Sequence, residues 1–93
     1  MIARTACPRL VRHARLRFDT HAGAWLLLYP ERGLALSATA LEVVRLCDGA
    51  HSVGAILRSL RARHPRADGC VIERDVATFL EQLVDRCLLE RIV

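Results

Sequence analysis

The chain contains no lysine; apart from histidine, every basic side chain is arginine. Guanidinium forks pair well with carboxylates and phosphates. With a formal net charge of +4, the chain favours an acidic partner, either nucleic acid or an acidic peptide. Cys7, Cys47, Cys70 and Cys87 form no Cys-x-x-Cys pair, and no histidine stands at ligand spacing from them. That excludes a zinc site of the usual spacing. There is no glycine-rich phosphate loop and no metal-spaced cluster. No stretch approaches the ~20 apolar residues a membrane span needs, and there are no repeats, low-complexity tracts or interdomain linkers. The start, Met-Ile-Ala-Arg, turns arginine-rich without an apolar run. The expectation is therefore a cytoplasmic chain without a disulfide framework.

What is present is a globular balance of 53% hydrophobic and 26% charged residues over 93 positions. That is enough for one domain. A chain of this size buries only roughly two thirds of its unfolded surface, so a deep catalytic pocket is hard to build. Residues 1–10 carry no periodicity, include Pro8, and read as a flexible arm before a domain over 11–93.

From Arg12 to Asp19 the sequence alternates, with Ala14, Leu16 and Phe18 on one side and His13, Arg15, Arg17 and Asp19 on the other. That is a half-buried strand. After a loop at Thr20 to Gly23, Trp25 to Tyr29 is a continuous apolar run, which predicts a strand covered on both faces. Pro30-Glu31-Arg32-Gly33 supplies a turn, and Leu34 to Leu36 reads as a short third strand. Three strands on short links predict an antiparallel meander.

The period then changes. Thr39 with Glu42 as a capping box, or alternatively Ser37, opens a helix carrying Leu41, Val44 and Cys47, and Asp48-Gly49 stops it. Ser52 caps a second helix with Val53, Ile56, Leu57 and Leu60 on one stripe. Pro65 and Gly69 bracket a loop. A third helix from about Val71 to Cys87 carries Ile72, Val76, Phe79, Leu80, Leu83 and Cys87 inward, and the tail from Leu88 packs back on the domain. Cys47 and Cys87 read as small core residues. The fold class is α+β: a winged-helix-like single domain, three-stranded antiparallel sheet followed by three helices.

His13, His21, His51 and His64 lie on an outward strand position or in and beside loops, with no partner that sequence alone assigns, so the reading is not an enzyme. A winged-helix DNA-binding domain is the alternative. Its third helix should be basic or amide-rich toward a groove. Here it carries Glu73, Asp75, Glu81 and Asp85 against Arg74 and Arg86, which phosphates would repel. The cluster Arg58, Arg61, Arg63 and Arg66 reads as a solvated face. A short third strand at a sheet edge offers unpaired N–H and C=O groups to an incoming strand. Phe79 serves either as pocket wall or as core, whereas Val76 and Leu80 read as core. Trp25 and Tyr29 are either core or a contact with an enzyme or a second subunit, in a homodimer.

These residues carry a resemblance. Ala14-Arg15-Leu16-Arg17-Phe18-Asp19, then Gly23, Trp25, Leu27, Leu28 and Pro30-Glu31-Arg32 are similar to the PqqD family of pyrroloquinoline quinone biosynthesis. So are Ala40-Leu41, Val44, Cys47-Asp48-Gly49, Ser52-Val53, Ala55-Ile56, Leu60, Asp75-Val76, Leu80 and Leu83. The family pattern has glycine where this chain has Cys87. The resemblance implies a peptide chaperone, a recognition element for ribosomally made, modified peptides (RiPPs). Such a module binds its precursor, PqqA, as an added strand between the third strand and the third helix. It presents the precursor to PqqE, a radical SAM enzyme that joins a glutamate to a tyrosine. The clusters and SAM belong to the enzyme, and no cofactor falls to this chain. The expected peptide-binding residues are Arg32, Leu34, Ala35, Leu36, Asp75, Thr78, Phe79, Gln82 and Arg86. Family precursors being acidic, Arg15, Arg17 and Arg32 are expected to contribute charge. No nucleic acid or membrane partner is expected.

Overall fold

The computed structural model describes residues 2–30 and 32–90. Three strands, β1 (Arg15–Asp19), β2 (Ala24–Tyr29) and β3 (Arg32–Leu36), precede three helices, α1 (Ala38–Leu46), α2 (Val53–Arg63) and α3 (Gly69–Asp85). The strands form an antiparallel meander in the order β1-β2-β3. β1 begins at Arg15 and not at Arg12, because the chain first turns with the Ala14 N–H on the Val11 carbonyl (3.1 Å).

The register decides which residues share a face. Leu16 opposes Leu27, which opposes Leu34; Phe18 opposes Trp25, which opposes Leu36. This face meets the helices, and Leu27 and Leu36 are buried in the common core. On the other face Leu26 and Leu28 sit half-buried between Arg17 and Arg15 on one side and Ala35 and Gly33 on the other. β2 is thus covered on one face only. The apolar run does not distinguish a doubly covered strand from one whose outer leucines are shielded by cross-strand neighbours. Phe18 also departs from expectation. It is 44% exposed, with its ring edge-on to Trp25 (5.5 Å between centroids).

Each helix starts where a side-chain oxygen takes an orphan N–H. Ser37 accepts from Ala40, Ser52 from Ala55 (3.1 Å each) and Asp68 from Cys70 (2.8 Å). Asp68 rather than a later residue therefore sets the start of α3, and Gly69 is its first helical residue. Val43, Ile56, Leu60, Val76, Leu80, Leu83 and Leu88 are the deepest helical and tail residues. The stripes of α2 and α3 face each other as their spacing requires.

α3 ends in a left-handed residue, Cys87, at φ 58°. Its N–H bonds the Val84 carbonyl (2.9 Å) and the Leu88 N–H bonds the Leu83 carbonyl (2.8 Å). Those paired bonds, with Leu83 and Leu88 packed in the core, are a Schellman stop. Cys87 is therefore exposed and not the core residue its spacing suggests: the helix has ended before its side chain can turn inward. Cys47 is buried, and burial followed by the charge of Asp48 pushes its thiol up to about 12.

Residues 4–11 form the largest departure from the sequence reading. The carbonyls of Ala6 and Arg4 accept from the Val53 and Gly54 N–H groups (2.9 and 3.0 Å), completing the cap of α2. Pro8 and Arg9 carbonyls accept from Gly49 and Glu90, and Leu10 and Val11 donate to Cys47 and Leu88. Ala6 and Pro8 are buried. The segment is thus hydrogen-bonded to three parts of the chain. Ile2, Ala3 and Arg4 line a pocket of about 370 Å³ whose apolar wall comes from α2 and α3.

Candidate strand-acceptor groove

β3 is an edge strand, and the register fixes which of its groups face outward. Tyr29 and Arg32 are partners across a link of two residues. They must be a hydrogen-bonded pair, since the alternative would need adjacent residues 30 and 31 to bond each other. Antiparallel ladders alternate, so Leu34 and Leu36 also bond inward to β2. The N–H and C=O of Gly33 and Ala35 then point to the open edge, where no described residue bonds them. Gly33 suits this place: a Cβ there would meet the Leu28 side chain at 3.2 Å.

Ser37, the residue after β3, lines a groove of about 300 Å³. Its α3 wall is Asp75, Val76, Thr78, Phe79 and Gln82; the opposite wall is Ser37, Thr39, Ala40 and Val43 from the start of α1. The spacing 75, 78, 79, 82 is one helical ridge, with Val76 at its base in the core. Phe79 is half-buried and packs against the core cluster, so one side of its ring is anchored while the other faces the groove.

Four residues expected in the site, Asp75, Thr78, Phe79 and Gln82, therefore meet in one groove. Leu34 and Leu36 do not line it: they turn inward, Leu36 buried and Leu34 half-buried against the core. They support the edge from beneath, while Ala35 and Gly33 present its backbone. Arg32 is exposed at the far end of β3. Arg86 caps α3 and donates from Nη1 to the Tyr29 hydroxyl (3.0 Å), tying the helix end to the sheet. The α1 wall was missed because Ser37 and Thr39 read from sequence only as cap residues. The signal was available in part, since a cap adjoining an edge strand must lie at the strand's end.

Arg15 and Arg17 lie on β1, on the far side of β2, roughly 10 Å from β3 at the usual strand spacing. They are not part of this groove. The histidines also gain partners that sequence did not assign: His51 Nδ1 meets Asp48 Oδ1 at 2.9 Å, and His64 Nε2 meets Glu42 Oε2 at 3.1 Å. The hydrogen bond from His51, then that from the Ala50 amide, hold the Asp48 carboxyl below its ordinary range. The first pair lies within the loop between α1 and α2, and the second joins the end of α2 to the middle of α1; among the described residues neither is hydrogen-bonded to a hydroxyl or thiol. No group of three metal-ligating side chains occurs among the described residues, and no described helix is long and apolar enough to cross a membrane.

Fold and groove together define a small α+β domain with an open sheet edge and a helix-walled groove. Residues 24–89 match the family model for coenzyme PQQ synthesis protein D (PqqD), and the chain belongs to that family. A protein of Rhodopseudomonas palustris strain TIE-1 named PqqA binding protein is 44% identical over 88 residues, 95% of this chain and 85% of that protein. One of the same name from Stutzerimonas stutzeri strain A1501 is 37% identical over 86 residues, 92% and 91% of the two chains. Among solved structures, the fold is similar to that of the PqqD part of Methylobacterium extorquens PqqCD, described as a functional, stand-alone RiPP recognition element. The TM-score is 0.81 at 36% identity, covering 98% of this chain and 96% of that one. The crystal structure of PqqD from Xanthomonas campestris matches at TM-score 0.60 and 36% identity, covering 98% and 100%.

Proposed function

We propose that this chain is a cytoplasmic, non-catalytic peptide chaperone. It binds a PqqA-like precursor as a strand added to β3 and presents it to a PqqE-like radical SAM enzyme. The relatives named for PqqA binding support the ligand class. The observation that carries the mode is the open edge of β3, with outward backbone at Gly33 and Ala35, followed in the chain by Ser37, which lines the groove under Phe79.

Backbone pairing accepts many side-chain sequences. A few such hydrogen bonds, at about 1 kcal/mol net each, do not suffice after the peptide is ordered. An apolar anchor beside Phe79 and Val43, with Thr78 and Gln82 meeting the peptide's polar groups, supplies the remainder. Micromolar binding needs roughly 8 kcal/mol in all, which this combination reaches. The acidic residues along α3 weigh against nucleic acid, whose phosphates they would repel, and against an acidic side chain of the peptide lying directly beside Asp75. For an acidic precursor, Arg32 on β3 and Arg86 at the end of α3 are the candidate cations. Exposed pairs are each worth less than about 1 kcal/mol, so affinity falls gently as salt rises.

Titration of the labelled protein with a synthetic PqqA-like peptide, followed by amide shifts, tests the reading. Ala35→Pro removes an outward donor and abolishes binding; Phe79→Ala weakens it, with circular dichroism as the check on folding. If both folded variants bind like the parent, the peptide lies elsewhere.

A further inference from the structure

The sheet has a second open edge, and its chemistry differs from that of β3. Leu27 bonds toward β3, so Ala24, Leu26 and Leu28 bond toward β1, through Asp19, Arg17 and Arg15. The N–H and C=O of Leu16 and Phe18 are therefore left facing outward along β1. Among the described residues nothing bonds them from that side.

Two rows of side chains flank this edge. On the outer face stand Arg15 and Arg17, both exposed and without a carboxylate within salt-bridge range among the described residues. Asp19, on the same face, already accepts from the His21 and Ala22 amides (3.0 and 3.4 Å). On the inner face Phe18 exposes its ring, backed by Trp25. Trp25 in turn lies under the Arg45 guanidinium, 5.2 Å from its ring centroid. The ring is thus held in place by its neighbours while its free side faces solvent.

We propose that β1 is a second strand-acceptor edge, and that its occupant is an extended protein segment with acidic residues at alternate positions and apolar residues between them. Side chains of an added strand alternate as those of β1 do. Its acidic residues fall beside Arg15 and Arg17, and its apolar ones beside Leu16 and Phe18. A second copy of this chain is the poorer occupant. The two-fold register that uses the whole strand pairs Leu16 with Phe18 and sets Arg17 against its own copy in the closely spaced pair, where like charges destabilise. The carboxylate that would face Arg15 in that register is Asp19, which is already engaged. This site is separate from the β3 groove, and either reading can fail alone.

The test is an amide-shift titration of the full chain with two capped synthetic peptides, one alternating glutamate and valine and one alternating lysine and valine. The acidic peptide shifts Leu16 and Phe18, in the parent chain and equally in Phe79→Ala, whose β3 groove is altered. The lysine peptide leaves them unmoved. The double variant R15E/R17E, changed only at exposed positions, weakens the acidic peptide about tenfold, as expected when two favourable cross-strand pairs become repulsive. Phe18→Ala weakens it with the charges intact. Shifts at Gly33 and Ala35 with β1 unmoved overturn the proposal, as do equal binding of the lysine peptide or a dimer with β1–β1 contacts in solution.

Discussion

Cys87→Gly is expected to stabilise the protein. Cys87 holds φ 58° at the end of α3, where a side chain crowds the following carbonyl at a cost of roughly 1–2 kcal/mol. Its side chain is exposed and makes no hydrogen bond among the described residues, so removing it forfeits little packing. Glycine relieves the crowding but also widens the unfolded ensemble, which returns about 0.4–1 kcal/mol. The net gain is about 0.5–1 kcal/mol, or roughly 2–8 °C in melting temperature for a domain of this size. Urea denaturation under reducing conditions should show the midpoint rising at unchanged slope. Cys87→Ala separates geometry from chemistry: it removes the thiol but keeps the Cβ, and gains nothing. Asn, which tolerates this region better than other non-glycine residues, falls between. A glycine variant no more stable than the alanine variant would refute the reasoning, because the left-handed geometry would then carry no cost.

Deleting residues 1–7 removes the carbonyls that cap Val53 and Gly54 and uncovers the pocket beside Leu57 and Leu80; a lost cap alone costs about 1 kcal/mol, so the melting temperature should fall while circular dichroism stays folded. Leu57→Ala and Leu83→Ala, at 4% and 0% exposure, should each cost roughly 2–5 kcal/mol in chemical denaturation. With its thiol pushed up to about 12 by burial and by Asp48, Cys47 is protonated at neutral pH and should react with a thiol reagent only on unfolding. Cys70 and Cys87, both exposed, should be labelled in the native state, as mass spectrometry of the labelled chain would show.

The order of strands and helices was legible because each element repeats a side-chain period. The stripe Val53, Ile56, Leu57, Leu60 and the cap Ser52 appear in the structure where the sequence puts them, and of the two caps offered for α1 it is Ser37, not the capping box at Thr39 and Glu42, that forms. Where period and backbone geometry conflict, sequence misleads. Cys87 continues the stripe of α3 from Leu80 and Leu83, yet the helix has already stopped. Asp68 was overlooked because Gly69 after it reads as a loop, although glycine at the first helical position leaves the cap itself intact. Residues 4–11 were illegible for a different reason. Their attachment runs through main-chain carbonyls and amides, which every residue carries, so no pattern of side chains announces it. The α3 half of the groove was readable as a ridge, whereas the half from α1 depends on where the sheet ends in space.

The two edges of the sheet show how composition divides roles that topology leaves equal. A three-stranded sheet has two rows of unpaired backbone groups, and each invites unwanted pairing. On β3 the outward residues are Gly33 and Ala35, small and uncharged, so a foreign backbone can approach closely; selectivity there must come from the neighbouring groove of α3. On β1 the flanking Arg15 and Arg17 oppose self-pairing by repulsion, and the same charges select an acidic strand. The arginines therefore stand apart from the groove proposed for the precursor, even if the precursor is acidic. Substituting them should leave binding at β3 nearly unchanged apart from a long-range contribution that salt removes. Amide shifts at Gly33 and Ala35 in R15E/R17E titrated with the PqqA-like peptide at high salt decide this point. A large loss there would place both edges in a single binding surface.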